Sequence, residues 1–188
     1  MGGESVKILY QRKQMIAFFM PGFILGILYI NFFARQSLSG SGMFGLHILE
    51  QYRSAAFDAK EYFLYVLKIR ALPFLLVTGI SFTSLRKISA YVVLVWTGFT
   101  SGMLLSMAAM EMGIPGCFFC LAGVLPQMIF YVQAYVVVLW YSLMYPQNKW
   151  TGQKTGFVAG MMVAGIMLEA FVNPILVKLF LNLRFIMI

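Results

Sequence analysis

Hydrophobic residues are grouped into five apolar runs, and charged residues are confined mainly to the segments between them. Each run approaches the length of about 20 residues that a helix needs to cross a hydrocarbon core of about 30 Å. This pattern predicts an all-α integral membrane protein whose residues 1–188 form a single polytopic domain. The predicted transmembrane helices are residues 15–33, 65–85, 88–110, 117–145 and 156–173.

The fourth run, residues 117–145, is too long for one crossing. Its 29 residues carry no formal charge. As a straight helix they would extend about 43 Å, at about 1.5 Å per residue. Pro126 lacks a backbone N–H, and its ring would collide with the carbonyl of Ala122 in a regular helix. We therefore predict a break at Pro126, with an outer half-helix before it and a true span from Gln127 onwards.

The first predicted loop, residues 34–64, begins with a Ser/Gly-rich stretch and continues with apolar side chains at helical spacing. A helix with an apolar and a charged face lies in the plane of a membrane surface, so an amphipathic extracytoplasmic helix is predicted here. The start of the following span is open between Tyr62 and Ala71. Lys68 and Arg70 are interpreted as side chains that snorkel at one membrane interface. The apolar positions of the amphipathic helix are Ile48, Tyr52, Ala55, Ala59 and Phe63.

Composition and charge support a membrane location and argue against nucleic acid as a partner. Hydrophobic residues make up 61% of the chain and charged residues 11%, whereas soluble domains carry about 25% charged residues. The net charge of +8 comes from short clusters between apolar runs, not from one basic face. Because positive residues favour the inner side of a membrane, the short loops place the N-terminus in the cytoplasm and the C-terminus outside a bacterial cell membrane. The predicted outer turn, residues 111–116, carries no basic residue.

Small residues recur at four-residue spacing in three of the predicted helices. Such spacing lets two helix backbones approach closely. We interpret these residues as packing faces within the chain and not as interfaces with a partner. They are Gly22 and Gly26, then Gly98, Gly102 and Ser106, and finally Gly156 and Gly160.

A polar stripe follows one side of the fourth predicted helix, and a carboxylate lies within the fifth. We favour the interpretation that the stripe forms hydrogen bonds between helices. The alternative, that it lines a conduction or substrate path, stays open. Glu169 comes 13 residues after Gly156, roughly 20 Å along the helix. An intramembrane carboxylate requires a partner, and no Lys or Arg is evident as its mate. Three alternatives for Glu169 stay open. Its carboxyl group is protonated, it forms hydrogen bonds with the carbonyls freed near Pro126, or it lies at the outer surface. The stripe consists of Gln127, Tyr131, Tyr135, Val138 and Ser142.

Signals of enzymatic chemistry are weak. Cys117 and Cys120 have the spacing of thioredoxin-like redox sites, but the soluble strand and helix that such sites require are not predicted here. His47 is the sole histidine, which excludes a multi-histidine metal site. We expect a protein that is not an enzyme and that needs no cofactor or metal.

Several of these residues occur in an order that resembles the stage II sporulation protein M family. The resemblance covers roughly residues 62–178. Where the wider family has Pro-His-Gly followed by a Glu, this chain has Gln127, Met128 and Tyr131, and a Pro-Gln pair is similar to the sporulation branch. The residues that carry the resemblance are Gly98, Gly102, Gly113, Gly116, Pro126, Gln127, Ala134, Glu169, Asn173 and Pro174.

This resemblance implies a five-span membrane scaffold that acts when the mother-cell membrane engulfs the forespore. It also implies partners, because the family localises the peptidoglycan-degrading stage II sporulation proteins P and D at the engulfing membrane. A homo-oligomer is a further expectation. Two alternatives stay open: the integral membrane subunit of a transporter, and a vegetative relative of the same family with another role in the cell envelope.

Overall fold

The structure, a computed structural model, describes the backbone of residues 2–34 and 58–186 and the side chains of residues 13–33 and 58–179. Every element within these ranges is helical, which confirms the all-α prediction for the described part of the chain. The α-helices are α1 (Gly2–Tyr29), α2 (Ala59–Ser81), α3 (Arg86–Met144), α4 (Gly152–Met167) and α5 (Asn173–Ile186), with π-helical turns at Ile30–Ala34 and Leu168–Val172.

Helix α2 begins earlier than the sequence pattern indicated. The carboxylate of Asp58 accepts a hydrogen bond of 2.9 Å from the backbone N–H of Lys60 and so caps the helix. A side chain in this position satisfies one of the N–H groups that the first turn leaves unpaired. The helix therefore starts at Ala59, and Arg70 lies near its middle. The predicted amphipathic helix lies mostly outside the described residues.

Among the described residues, four helices are long and apolar enough to cross a membrane, one fewer than the five predicted spans. The difference arises in α3, a segment of 59 residues that contains both residues 88–110 and residues 117–145, which were predicted as separate spans. The four candidates are Lys13–Phe33, Ala59–Ser81, Arg86–Met144 and Gly152–Leu179.

Gly113 reverses the direction of α3. Its backbone has φ 67° and ψ −151°, which is not helical and is a conformation that residues with a side chain rarely adopt. Just beyond it, Gly116 comes so close to the preceding helix that an added Cβ would lie 2.2 Å from the carbonyl oxygen of Ala108. Pro115 stands in the first turn after the reversal, where its missing N–H has no helical partner to lose. The reversal lies within the predicted outer turn.

The two halves of α3 consequently form a helical hairpin. We name residues 86–112 α3a and residues 114–144 α3b. A straight helix of 59 residues would separate its ends by roughly 88 Å. Instead, buried residues near the two ends pack into one cluster, so the halves run antiparallel. The members of this cluster are Ala90 and Leu94 from α3a and Leu139 and Leu143 from α3b.

The predicted break at Pro126 is wrong. Within α3 the backbone departs from helical dihedral angles at Gly113, and it stays helical through Pro126. The reversal at Gly113 precedes this run and does not shorten it, so the run remains one helix that is longer than a hydrocarbon core of about 30 Å. A helix of this length is accommodated in a bilayer by tilting. Proline is tolerated in apolar helices when neighbouring groups make the hydrogen bonds that it disturbs. Close to it, the side-chain amide of Gln127 donates to the carbonyl oxygen of Gly123 at 2.6 Å.

The predicted end of the last span at residue 173 is also wrong, because helical structure continues through Pro174. The turn Leu168–Val172 is a π-helix, and the N–H of Asn173 bonds to the carbonyl of Leu168, five residues earlier. A wider turn of this kind shifts the hydrogen-bond register before the proline. Pro174 then lies in the first turn of α5, where proline is accepted.

The main core lies between α2, α3b and α4. Apolar side chains from all three helices meet there and exclude solvent from the middle of the bundle. The helices are therefore held in a fixed register relative to one another. The buried members of this cluster are Val66, Phe74, Tyr131, Ala134, Val138, Val158, Met162 and Ile166.

Helix α1 packs against α3a through glycines. A Cβ added at Gly22 would lie 2.3 Å from the carbonyl oxygen of Val95, and one added at Gly102 would lie 2.2 Å from that of Phe23. These distances place the two backbones in direct contact, which glycine alone permits. The predicted packing faces are thus confirmed for Gly22, Gly26, Gly98 and Gly102.

The same prediction is wrong for Gly156 and Gly160. No described atom lies within 4 Å of a Cβ added at either residue, and both are exposed. The spacing is the same as in α1 and α3a, but α4 turns its other side, with Val158 and Met162, toward the core. A glycine stripe therefore becomes a packing face only where another helix is brought against it.

Aromatic rings close the end of the bundle at which α2 ends and α4 begins. The ring centroids of Tyr141 and Trp150 are 5.2 Å apart, and Phe82 lies 5.5 Å from each of them. The guanidinium of Arg86 lies 3.5 Å from the ring centroid of Tyr145. We call this the basic end because the side chains of Lys13, Arg86, Lys87, Lys149 and Lys154 are gathered there.

Substitution of Gly113 by alanine should lower the free energy of unfolding by about 1–3 kcal/mol, because the backbone conformation is strained for any residue with a Cβ. Steric contact does not oppose the alanine, since the nearest atom to the added Cβ, Cδ of Pro115, lies 3.9 Å away. Unfolding of the protein in detergent micelles measures the change. The matched control is Gly79→Ala, at a helical glycine whose added Cβ meets nothing within 4 Å. Equal stability of the two variants would refute the strain at Gly113.

Candidate functional site

Three polar side chains from three different helical segments converge inside the bundle. Arg70 donates from Nε to Glu169 Oε2 at 2.8 Å and to Oε1 at 3.1 Å, and from Nη2 to Oε1 at 2.6 Å. The hydroxyl of Tyr131 donates to Glu169 Oε2 at 2.7 Å. We call these three residues the clamp, because they join α2, α3b and the π-helical turn after α4.

The local structure of each element explains why the side chains meet. Arg70 reaches the interior because α2 already begins at Ala59, so that the arginine lies at mid-helix. Glu169 occupies the π-helical turn Leu168–Val172 and is 8% exposed. Turns of this type are frequent where a helix presents a functional side chain. Tyr131 belongs to the main core and is 4% exposed.

The hydrogen-bond pattern is that of a charged pair. Both oxygens of Glu169 act as acceptors, as an ionised carboxylate does, and the guanidinium binds them through two nitrogens, which is the strongest geometry for this pair. The guanidinium carbon of Arg70 also lies 5.4 Å from the ring centroid of Tyr131, within reach of a cation–π contact. Loss of Glu169 would leave the donors of Arg70 and Tyr131 without their acceptor, and loss of Arg70 would leave the Glu169 carboxylate with the Tyr131 hydroxyl as its described donor.

Space for the tyrosine ring is provided by Gly165, one turn before Glu169 in α4. A Cβ added at Gly165 would lie 2.6 Å from Cε1 of Tyr131. Gly165 was not among the residues predicted from the sequence, and the available signal was its position four residues before Glu169. Gly165 is therefore a supporting residue of the clamp.

The predicted polar stripe of α3b contributes one member to the clamp. Gln127, Tyr131 and Ser142 are buried, yet Gln127 and Ser142 donate to carbonyls of their own helix. Tyr135 packs edge-on against Phe74 of α2, with ring centroids 5.1 Å apart. Of the hydrogen bonds described for the stripe, the one from Tyr131 to Glu169 joins two helical segments.

A second polar level lies one helical turn from the clamp. The side-chain oxygens of Gln127 and Asn173 are buried and have no hydrogen-bond partner among the described residues. Gly123 lies between these two side chains. Its carbonyl oxygen accepts a hydrogen bond from Gln127, and a Cβ added at Gly123 would lie 3.7 Å from Asn173 Oδ1. Glu169 and Asn173 are four residues apart, as are Tyr131 and Gln127, so the polar region extends along both helices.

The glycines and Pro174 that were singled out in the sequence make contacts outside the clamp. Gly98 and Gly102 lie at the α1 contact, and Gly113 and Gly116 lie at the α3 reversal, so neither pair touches the clamp. Pro174 follows the π-helical turn and is half-buried. The thiols of Cys117 and Cys120 are both free.

No protein-family model matches the chain, and no curated protein or solved structure matches it either. The class of protein is therefore defined by the fold and the site. The described residues are all helical in their elements and include four long apolar helices, which fit a multi-pass membrane protein. Their distinguishing feature is a partly buried arginine–glutamate pair that a tyrosine caps.

Replacement of Tyr131 by phenylalanine should lower the free energy of unfolding by about 2 kcal/mol, the usual magnitude for a hydrogen bond to a charged group. The ring would remain against Gly165, so the change removes only the hydroxyl. Detergent unfolding gives the value. Tyr135→Phe is the matched control, because it keeps the ring contact with Phe74 and should change stability by less than about 0.5 kcal/mol. Similar losses in both variants would contradict the role of the Tyr131 hydroxyl.

Proposed function

We propose that this chain is a multi-pass scaffold of the bacterial cell membrane that crosses the bilayer five times. The fifth crossing comes from reading the α3 hairpin as two spans. Its halves would extend about 40 Å and 46 Å, each sufficient for a hydrocarbon core of about 30 Å. Residues 13–33, 59–81 and 152–179 supply the other three crossings.

The distribution of charge supports a cytoplasmic N-terminus and an extracytoplasmic C-terminus. Among the described side chains, the basic end has five basic residues and no acidic ones. Positive residues favour the cytoplasmic side, and aromatic rings such as those of Tyr141 and Trp150 favour a membrane interface. The opposite end has a mixed charge from Asp58, Lys60, Glu61, Glu111 and Lys178.

The observation that carries the scaffold proposal is the clamp. A charged pair within apolar helices has to be closed by its own partners, and here Arg70, Glu169 and Tyr131 bind one another. This arrangement favours a rigid architectural element over a reactive centre, since no acceptor of the carboxylate is left for a substrate. The proteins that such a scaffold would position are peptidoglycan hydrolases similar to stage II sporulation proteins P and D, as the resemblance implies.

Deletion of the gene, followed by membrane-dye microscopy under sporulation conditions, tests the cellular role. We expect the mother-cell membrane to stop before it surrounds the forespore. Normal engulfment in the deletion strain would overturn the sporulation role and favour a vegetative envelope function. Recovery of a protein P homologue in pull-downs tests the partner, and unchanged recovery after replacement of residues 48–63 would exclude that loop as the contact.

Transport is the second candidate function, because an ion pair and a π-helical turn within apolar helices are also typical of proton and substrate paths. The purified protein in liposomes with an internal pH-sensitive dye separates the two proposals. A scaffold should give the same slow proton leak with Glu169 and with Glu169→Gln. A flux that disappears in the Glu169→Gln variant would favour a transporter subunit.

A further inference from the structure

A groove of about 770 Å³ opens at the basic end of the bundle, between the middle of α1, the second half of α3b and the start of α4. Its walls are apolar and include Val136, Trp140 and Phe157. Its mouth is polar and includes Thr151 and Lys154. A ligand that fills this groove must therefore be apolar along most of its length and polar at one end.

No described carboxylate lies in a salt bridge with the charge at the mouth. Lys154 Nζ donates to the side-chain oxygen of Asn148 and, at 2.6 Å, to the backbone carbonyl of Lys149. Both acceptors are neutral, and an ammonium group has three donors. The described partners of Lys154 are these two oxygens, and neither belongs to a carboxylate. A cation beside apolar surface is stabilised strongly by an anion.

The start of α4 adds to this positive potential. Thr151 is the N-cap residue, yet its side chain makes no capping hydrogen bond. The first N–H groups of a helix carry partial positive charge and bind anions. Lys154 and the hydroxyl of Thr151 thus offer donors at the same mouth.

The surroundings of the mouth indicate its depth in the bilayer. The aromatic rings of Tyr141, Tyr145 and Trp150 mark this end of the bundle as an interface. Trp140 and Val136 are one turn apart on α3b, so the groove runs from the interface toward the hydrocarbon. Basic pockets between helices on the cytoplasmic side are suited to anionic lipid headgroups.

We propose that this groove binds one anionic phospholipid of the cytoplasmic leaflet. Its phosphate lies against Lys154 and Thr151, and an acyl chain lies along Trp140, Val136 and Phe157. The site rests on the membrane orientation proposed above. It would couple the packing of α1 and α4 to the lipid composition around the protein.

Quenching of Trp140 fluorescence by lipids with brominated acyl chains tests the site. The chain has three tryptophans, so Trp96→Phe and Trp150→Phe leave Trp140 as the reporter. In nanodiscs, brominated phosphatidylglycerol should quench Trp140 at least twofold more strongly than brominated phosphatidylcholine at equal mole fraction. Lys154→Gln should abolish the preference, whereas Lys154→Arg should keep it. Lys87→Gln is the matched control, because it removes a basic residue of the same end outside the groove.

Each outcome decides one proposal. Equal quenching by the two lipids would overturn the lipid site, as would a loss of preference in both Lys154→Gln and Lys87→Gln, which indicates general surface charge. Retention of the protein in the nanodisc is measured first, by size-exclusion chromatography. Failure at that step would refute the membrane scaffold itself, whereas retention without a headgroup preference would refute only the lipid site.

Discussion

Replacement of Arg70 by leucine should lower the free energy of unfolding by about 3 kcal/mol. This is the lower end of the range for breaking a buried ion pair, because 37% of the Arg70 side chain is exposed. The loss comes mainly from Glu169, which would keep its charge and its buried position with only the Tyr131 hydroxyl as a donor. Unfolding of the purified protein in micelles, followed by helical circular dichroism, measures the effect.

Lys68→Leu is the matched control for this prediction. Lys68 lies two residues away on the same helix and is exposed, and the substitution also removes one positive charge. It should change stability by less than about 0.5 kcal/mol. If Arg70→Leu behaves like Lys68→Leu, the ion pair does not contribute to the fold.

Replacement of Gly102 by leucine should separate α1 from α3a and lower the free energy of unfolding by about 3 kcal/mol, the upper end of the usual range for overpacking. The added Cβ would lie 2.2 Å from the backbone carbonyl oxygen of Phe23, which cannot move as a side chain can. A cysteine pair introduced across the α1–α3a contact should lose its cross-linking in this variant. The same unfolding assay gives the energy.

The matched control is Gly160→Leu, another helical glycine in a small-residue stripe. An added Cβ at Gly160 meets nothing within 4 Å among the described residues. This variant should be as stable as the parent or slightly more stable, since leucine favours helix more than glycine does. A loss at Gly160 equal to that at Gly102 would indicate that helix propensity, not backbone contact, determines the result.

The apolar runs and the outer turn at residues 111–116 could be located from the sequence, but the unbroken course of the fourth run could not. A proline within an overlong run is the stronger local signal, and it led to the prediction of a break at Pro126. The chain reverses within the predicted outer turn, at Gly113, because a positive φ is accessible to glycine and the helix after it packs back on α3a. Pro126 stays helical because it lies in a helix that neighbours support on more than one side. This choice depends on tertiary packing, which local patterns do not contain.

The carboxylate of the clamp was visible in the sequence, whereas its partner was not. Glu169 stood out as an acid within an apolar run. Arg70 was interpreted as an interfacial residue because the apolar run after it is short, and the two are 99 positions apart in the chain. The signal that could have found it is the cap at Asp58, which starts α2 at Ala59 and so moves Arg70 to mid-helix.

The most direct test of the clamp is a charge exchange. The variants Arg70→Glu and Glu169→Arg each place two like charges together inside the bundle, and each should reduce the amount of folded protein in the membrane fraction. The double variant restores opposite charges at the same positions. If the clamp joins α2 to the π-helical turn, the double variant should recover folded protein well above either single variant. Folded protein no higher than in the weaker single variant would contradict this account.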